Sequence, residues 1–478
     1  MAKFNNTVTT KTENKSGHVA YSMAPKSKLI TQVLTSFFNE QRFYGDNSAE
    51  ITDTIKEVIK QDPQFVSNLA VYARRVFNMR SIAHVLTGHL ANVPEGKPYI
   101  KKTVQGVTLR GDDLTEILSF YLATFGKPIP NGLRRAMRDV FTAFDAYTLA
   151  KYKGEGHAVK MRDILRICRP VPKDEAQSEM WKQLLDGTLP APYTWETELS
   201  AKGNNKETWE GLIASGKLPY MAGLRNVRNI VSARPDNLDT FLSFLSNPDA
   251  VRKSKQLPFR FLSAYRENEG AGTKVLDALE AAADASVANL PRISGRTVIA
   301  IDTSGSMGSR ISTNSDIRCC DIAAMLGIIA SKICEDAVVY KFDTKLYTAS
   351  ISSRTGILYA ALHESSYGGG TNMDLPFEQM IKDNVVCDRI IILSDNECNR
   401  GYSWYTHKTI QSLADNYRRA SGCDIWVHAV DLQGYGTQQF SGPKTNIIAG
   451  WSEKVFNFIL LAEQGEGTLE KTIGEYTW

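Results

Sequence analysis

The 478-residue sequence lacks any run of 18 or more apolar residues, which argues against a membrane-spanning helix. The first 25 residues, predicted to be a flexible N-terminal arm, contain no apolar stretch of the kind that a secretory signal needs. The seven cysteines are an odd number and never occur as Cys-X-X-Cys, which argues against a disulfide framework and a zinc site. We therefore expect a cytoplasmic protein with no membrane partner.

Strand-like alternation of apolar and polar residues is scarce before residue 296, and no strict sequence repeat is found. Apolar residues instead recur at helical spacing in many short segments, which Pro, Gly and Asn turns separate. Residues 133–149 and 220–231 are each predicted to form one helix. So many short helices favour stacked helical pairs over a single bundle, and we predict an all-α helical-repeat domain over residues 26–290.

From residue 296 onwards, short apolar runs typical of buried strands alternate with helical segments. This order predicts a mostly parallel sheet with helices on both faces. We therefore predict a doubly wound α/β domain over residues 296–478, which a short stretch at residues 290–295 separates from the helical domain. The fold class is multidomain, all-α followed by α/β.

The formal net charge of +4 is unevenly distributed along the chain. Residues 1–290 hold 39 Lys and Arg against 31 Asp and Glu, whereas the remainder holds 17 against 21. The basic part is therefore a candidate for a polyanionic partner.

Two predicted strands of the α/β domain end in polar residues that suit a divalent cation. The strand at residues 297–301 leads into Asp-X-Ser-X-Ser, the strand at residues 389–393 leads into Ser-Asp, and a Gly-Gly-Gly-Thr loop lies between them. Parallel strands bring their carboxyl ends to one edge, and hard oxygens suit Mg²⁺, Mn²⁺ or Ca²⁺. The polar residues could instead cap the following helices, and for one Asp-X-Ser-X-Ser sequence alone that interpretation would be preferred.

Together, these residues resemble the metal-ion-dependent adhesion site (MIDAS) of von Willebrand factor A domains. The resemblance implies a bound divalent cation, most suitably Mg²⁺, with an open coordination position for an acidic group. A haloacid-dehalogenase-type phosphatase is rejected, because that family needs an Asp where this chain has Ser304. The predicted metal ligands are Asp302, Ser304, Ser306, Thr371 and Asp395.

The densest cationic segment is residues 127–173, which holds 11 Lys and Arg against 4 Asp and Glu. Arg162 and Arg166 are four residues apart and project from one helix face, while Tyr147 and Tyr152 add rings that can stack on unpaired bases. A charge run is usually a solvated helix face, but the one-signed excess here favours nucleic acid. The predicted RNA-binding residues are Arg134, Arg138, Lys151, Lys153, His157, Lys160, Arg162, Arg166 and Arg169.

Three short sequences resemble signatures of the Ro autoantigen (TROVE) family: residues 151–153 with 162–170, residues 72–74 with 78–80, and residues 218–219 with 224–226. A von Willebrand A domain directly after such a helical region is also that family's architecture. Where the family commonly carries a His that contributes to RNA binding, this chain has Cys168 and Arg169. Arg169 can supply a phosphate contact, but not the same base contact.

The resemblance implies a monomeric ring of HEAT-like helical pairs that is closed by the A domain. It implies binding of small non-coding Y RNA on the outer basic surface and of single-stranded 3′ ends of misfolded RNA in the central hole. It also implies RNA quality control beside an exoribonuclease, and not enzymatic activity. The alternative left open is a scaffold whose metal site recruits an acidic partner. A weaker third alternative is a metal-dependent hydrolase.

Overall fold

The computed structural model describes residues 11–13, 19–21, 24–35, 48–154, 156–310, 317–349, 356–363, 365–395, 410–433, 440, 444–449, 454–464 and 467–478. Two compact units are present, and each interrupts the other in sequence. The helical unit comprises Pro25–Thr197 and Thr468–Trp478, and the sheet unit comprises Met1–Ala24 and Glu198–Gly467. Within the described ranges, no helix is both long enough and apolar enough to cross a membrane.

The helical unit is built from consecutive helices that pack on their near neighbours in sequence. Helix α3 packs against α4 and α5, α5 packs against α7, and α7 packs against α9, which is the contact pattern of helical repeats. The helices of this unit are α1 (Pro25–Thr35), α2 (Ser48–Gln61), α3 (Pro63–Arg75), α4 (Ser81–Ala91), α5 (Ile100–Val107), α6 (Asp112–Phe125), α7 (Asn131–Phe141), α8 (Ala146–Lys151), α9 (Met161–Cys168), α10 (Glu175–Asp186) and α24 (Thr468–Gly474).

Local sequence chemistry sets where these helices begin. The Asp62 carboxylate accepts a hydrogen bond from the Phe65 N–H at 3.0 Å, and Pro63 occupies the first helical position of α3. The single helix predicted over residues 133–149 is wrong. The Asp145 carboxylate accepts from the Thr148 N–H at 2.8 Å and starts a separate helix, α8.

The sheet unit also contains helices before its main sheet. Helix α11 (Trp195–Lys202) contains the point at which the chain passes from the helical unit to the sheet unit. The helices that follow it are α12 (Lys206–Ala214), α13 (Tyr220–Arg225), α14 (Val227–Ala233), α15 (Leu238–Leu245), α16 (Pro248–Ser254), α17 (Phe259–Glu267) and α18 (Thr273–Ser286). The prediction of a single helix over residues 220–231 is wrong. The helix is interrupted at Asn226, whose side-chain amide donates to the Ala222 carbonyl at 2.9 Å.

The main sheet has six strands in the order β5-β4-β3-β6-β7-β8, and every neighbouring pair is parallel except β4–β5. Its elements are β3 (Ile293–Asp302), α19 (Cys319–Ile333), β4 (Cys334–Phe342), β5 (Leu346–Thr348), α20 (Ile357–His363), α21 (Asp374–Lys382), β6 (Arg389–Ser394), α22 (Ile410–Ser421), β7 (Trp426–Asp431), β8 (Thr445–Ala449) and α23 (Val455–Glu463).

Strand β3 is buried on both faces, which explains its unbroken apolar run. Val298 and Ala300 pack into the core that includes α21 and α22. Ile299 and Ile301 contact α19, where a Cβ on Gly327 would stand 2.4 Å from the Ile301 side chain. The predicted doubly wound fold is therefore confirmed.

The predicted flexible arm contains a two-stranded antiparallel sheet, β1 (Lys11–Glu13) with β2 (Val19–Tyr21). The other residues of 1–23 lie outside the described part of the chain. Five of the six cysteines that the structure describes are buried and all six are free thiols, whereas Cys398 lies outside the described residues.

Candidate functional site

Four of the five predicted metal ligands lie at or directly after the carboxyl ends of β3 and β6, and the fifth, Thr371, lies in the loop before α21. Asp302 is the last residue of β3, and Asp395 directly follows β6, which pairs with β3 in parallel. The Ser304 N–H donates to Asp302 Oδ1 at 2.8 Å, and the Ser304 and Ser306 hydroxyl oxygens lie 3.2 Å apart. Hydrogen bonds thus hold three of the five predicted ligands in one tight turn.

Backbone hydrogen bonds bring the Gly-rich loop to the same edge. The Gly368 N–H donates to the Thr303 carbonyl at 2.8 Å, and the Gly305 N–H donates to the Gly369 carbonyl at 3.0 Å. Gly369 has a φ of +70°, a conformation that favours glycine. Thr371 follows this anchored segment and is 2% exposed, so the loop runs alongside the Asp-X-Ser-X-Ser turn.

Two carboxyl groups are buried at this edge of the sheet. Burial, with the neighbouring charge of Asp395, raises the pKa of Asp302 to about 6, although hydrogen bonds from Ser394 and Ser304 act in the opposite direction. The Ser394 hydroxyl donates to Asp302 Oδ2 at 2.6 Å. Two acidic groups beside three hydroxyl oxygens form a hard, anionic donor set, which fits a divalent cation such as Mg²⁺.

The donor set differs from an ordinary cluster of acids, histidines or thiols. Across the residues that the structure describes, no three His, Cys, Asp or Glu side chains form such a cluster. A cleft of about 460 Å³ opens beside the loops that carry the predicted metal ligands. Its lining includes Thr303, Lys341, Tyr347, Tyr367 and Gly368. It gives a ligand room next to the predicted metal position.

The nine predicted RNA-binding residues lie on α7, α8 and α9, in the loop between α8 and α9, and directly after α9. Arg162 and Arg166 are four residues apart on one side of α9, where Arg166 is exposed and Arg162 is half-buried, and the exposed Arg169 directly follows this helix. Lys151, Lys153 and His157 are exposed, and Lys160 is half-buried. The chain therefore presents the predicted charges mainly to solvent.

The packing of α7 against α9 brings two further predicted arginines near the end of α9. Both Arg134 and Arg138 of α7 act electrostatically on the thiol of Cys168 at the end of α9. Burial dominates there and raises the pKa of that thiol to about 11, so Cys168 is an inert core residue. Arg169 directly follows in the left-handed conformation, with a φ of 47°.

One cationic residue at this surface was missed by the sequence analysis. The Arg110 guanidinium lies 5.2 Å from the ring centroid of Tyr152, and Lys151 Nζ lies 5.6 Å from the same ring. Arg110 is distant in sequence from residues 127–173, and only the fold brings it there. It precedes α6, whose first residue Asp112 pairs with it at 3.1 Å.

The signature at residues 72–80 has a structural role. Arg74 Nη2 lies 3.0 Å from Asp113 Oδ2, and Arg80 Nε lies 2.7 Å from Asp113 Oδ1. His84 Nε2 lies 3.0 Å from the same Oδ1, so one buried carboxylate joins α3, α4 and α6. These partners hold the pKa of the Asp113 carboxyl well below its usual range, although burial alone would raise it.

Comparisons with known proteins agree with both parts of this architecture. The TROVE domain profile matches residues 30–188 and 181–278, and the Ro60 vWA domain profile matches residues 296–432. The chain belongs to the TROVE-domain family. The confirmed resemblance thus covers the helical region and the A domain.

Individual relatives are distant in sequence. The chain is 23% identical to RNA-binding protein RO60 of Deinococcus radiodurans over 480 residues, which covers 86% of each protein. It is 26% identical to telomerase protein component 1 of Rattus norvegicus over 324 residues, which is 50% of this chain but only 12% of that protein. The crystal structure of the Deinococcus radiodurans RO protein superposes with a TM-score of 0.64 at 18% identity, covering 94% of this chain and 99% of that one. This last likeness supports the fold.

Proposed function

We propose that this chain is an RNA-binding protein that holds a small structured RNA of the Y type on the basic surface formed by α7, α8 and α9. The observation that carries the proposal is the series of solvent-accessible cations Arg162, Arg166 and Arg169 along α9 and its C-terminal end, in a member of a family with named RNA-binding proteins. Repeated cations along one surface neutralise successive phosphates and position a polyanion.

The finer parts of the proposal rest on the family resemblance. One such part is the binding of single-stranded 3′ ends of misfolded RNA. The other is a role beside an exoribonuclease in RNA quality control. The described geometry does not require either part. We therefore propose RNA binding as the primary function and treat these two as its extensions.

A second candidate function is recruitment of an acidic protein partner through a divalent cation. Asp302, Ser304, Ser306, Thr371 and Asp395 would hold the cation, which would supply a positive charge able to coordinate a partner's carboxylate. The adjacent cleft favours this candidate, because it provides space for the residues that flank such a carboxylate. In this function the A domain acts independently of the basic surface.

The primary function is tested by identifying and then titrating the bound RNA. RNA that crosslinks to the purified chain is sequenced, transcribed in vitro and titrated against the protein at several salt concentrations. If three or more phosphates are contacted, the affinity falls at least about tenfold between 50 and 200 mM salt. Reversal of Arg162, Arg166 and Arg169 to Glu should abolish most of this binding.

The matched control reverses Arg252, Lys253 and Lys274 to Glu, since these cations lie outside the basic surface. The net charge changes equally, so long-range repulsion is the same in both variants. An RNA affinity independent of salt, or one equally lowered by both triple reversals, would exclude this surface as the RNA site.

A further inference from the structure

We propose that the open face of the Tyr147 ring is a stacking site for one unpaired nucleobase, with Lys151 placed to bind that nucleotide's phosphate. This inference rests on the proposed RNA-binding function and adds a base-contacting residue to it. No signature of the family resemblance includes Tyr147, which lies upstream of residues 151–153.

The ring of Tyr147 is available at the surface. The residue is 51% exposed, so much of the ring can be reached by a ligand. Lys151 lies one turn later on α8, and its Nζ donates to the Tyr147 hydroxyl at 3.3 Å. The same Nζ is 5.5 Å from the ring centroid, so the ammonium sits at the hydroxyl edge and leaves the ring face uncovered.

Neighbouring residues hold this arrangement in place. The Asp145 carboxylate caps α8 and fixes the turn that carries Tyr147. On the other side of Lys151, the Tyr152 ring lies between two cations, Lys151 and Arg110, at 5.6 Å and 5.2 Å from its centroid. Asp112 in turn accepts two hydrogen bonds from Arg110 at 3.1 Å each.

The backbone at Gly111 contributes to the same packing. A Cβ at this position would stand 2.8 Å from the Thr148 side chain and 2.9 Å from the Tyr152 ring. The start of α6 and the end of α8 therefore meet in close contact, which sets Tyr152 and its cations against a firm support. The surface next to Tyr147 is thus built from packed helices and not from a free loop.

The chemistry of this arrangement selects the ligand. An exposed aromatic ring next to several cations suits a flat, anionic molecule, and an unpaired nucleotide combines both properties. A base paired within a duplex keeps its faces stacked on its neighbours and cannot use the ring. The alternative is a simple surface pair in which Tyr147 only restrains Lys151. The two interpretations predict different effects when the ring is removed.

The test titrates the full chain with a single-stranded 12-nucleotide oligoadenylate in which 2-aminopurine replaces alternate adenines. Tyr147→Ala should weaken binding about tenfold, because loss of one base–aromatic stack costs that order of affinity. The dependence of affinity on salt should be unchanged. Quenching of 2-aminopurine on binding should be reduced in Tyr147→Ala and retained in Tyr147→Phe.

Three comparisons make the result specific. Lys151→Ala should lower the salt dependence by about one phosphate contact, which Tyr147→Ala must not do. Tyr359→Ala removes a similarly exposed tyrosine (55%) from α20 of the A domain and should change nothing. A duplex of the same length should bind wild type and Tyr147→Ala equally.

If Tyr147→Ala leaves salt-dependent RNA binding intact, the proposed stacking site is wrong, but the proposed RNA-binding function is not. An equal loss for single strand and duplex, or a loss of salt dependence in Tyr147→Ala, would also overturn it. Failure of the wild-type chain to bind any RNA would overturn the proposed function as well, so the two failures are distinguishable.

Discussion

The guanidinium of Arg74 lies 3.0 Å from the carboxylate of Asp113, and both side chains are buried in the helical unit. Asp113 also accepts backbone hydrogen bonds from Leu109 and Arg110 at 2.9 and 2.8 Å. Two arginines of one family signature, Arg74 and Arg80, therefore meet on a carboxylate that the signature does not contain. This network joins α3, α4 and α6, and we assign it a structural role.

Replacing Asp113 by Ala should strongly destabilise the helical unit. The substitution leaves buried cationic and amide groups without their acceptor, and breaking such a buried pair costs about 3–5 kcal/mol. Hydrogen exchange of α3, α4 and α6 would detect the loss within the intact chain. Asp249→Ala is the control, since Asp249 pairs with Arg252 at the surface and both side chains are more than half exposed. Similar exchange in the two variants would contradict the structural role of Asp113.

Much of the fold could be predicted from the sequence because apolar spacing dominates it. The six strands of the main sheet follow directly from that signal. Local side-chain hydrogen bonds do not affect apolar spacing, so the breaks at Asp145 and Asn226 were missed. Helices α5, α11, α16 and α24 have no more than eight residues each and were not predicted from the sequence.

The residues of the candidate sites also divide into those that could be predicted from the sequence and those that could not. The placement of Asp302 and Asp395 at one edge of the sheet could be predicted, because they end or directly follow strands that pair in parallel, whereas their role as metal ligands stays a prediction. Asp113 and Arg110 could not be predicted, because their partners are brought together by tertiary packing. In the sequence, Asp113 is simply a second acidic residue after Asp112 at the start of a helix, where acidic residues are favoured.

Acidification should destabilise the A domain through a buried His–Glu–Arg network. His428 Nε2 lies 2.9 Å from Glu463 Oε1, and Arg389 Nε lies 2.6 Å from that oxygen. Burial opposes ionisation of Glu463, but hydrogen bonds from His428 and Arg389 prevail and lower its pKa to about 2. Burial also lowers the pKa of His428.

Both shifts act in the same direction. The unfolded chain protonates His428 near pH 6.5 and Glu463 near pH 4.5, whereas the folded chain resists both protonations. The stabilisation is therefore complete above pH 6.5 and is lost as the pH falls, with Glu463 contributing at most about 3 kcal/mol. Denaturant unfolding of the A domain at several pH values should show this slope. Glu463→Gln should flatten it below pH 5, and Asp336→Asn, at an exposed ion pair, should not.

Removal of the Asp302 carboxylate should abolish binding of a divalent cation to the A domain. Mn²⁺ is a suitable probe, because its free form gives an electron paramagnetic resonance signal that disappears on binding. Asp302→Ala should leave the Mn²⁺ signal at its protein-free intensity. Asp336→Ala should bind like wild type, since Asp336 lies at the opposite end of the parallel β3–β4 pair. Mn²⁺ binding that survives Asp302→Ala would place the cation elsewhere.

The same variant separates the two candidate functions. RNA affinity should be equal in Asp302→Ala and wild type, because the basic surface belongs to the helical unit and Asp302 to the sheet unit. Capture of a carboxylate-bearing peptide should be lost. The opposite pattern, in which RNA binding requires Asp302, would contradict the assignment of RNA to α7, α8 and α9.

Alanine should have opposite effects at two helical glycines. In α19, a Cβ on Gly327 would stand 2.4 Å from Ile301 Cδ1 and 3.1 Å from Ile301 Cγ1, at the end of β3. Overpacking of this kind costs about 1–3 kcal/mol, which exceeds the gain in helix propensity. In α12, a Cβ on Gly211 would have no neighbour within 4 Å, so Gly211→Ala should stabilise its helix by about 0.5–1 kcal/mol. Thermal unfolding of both variants checks the difference, and stabilisation by Gly327→Ala would contradict the close packing of α19 on β3.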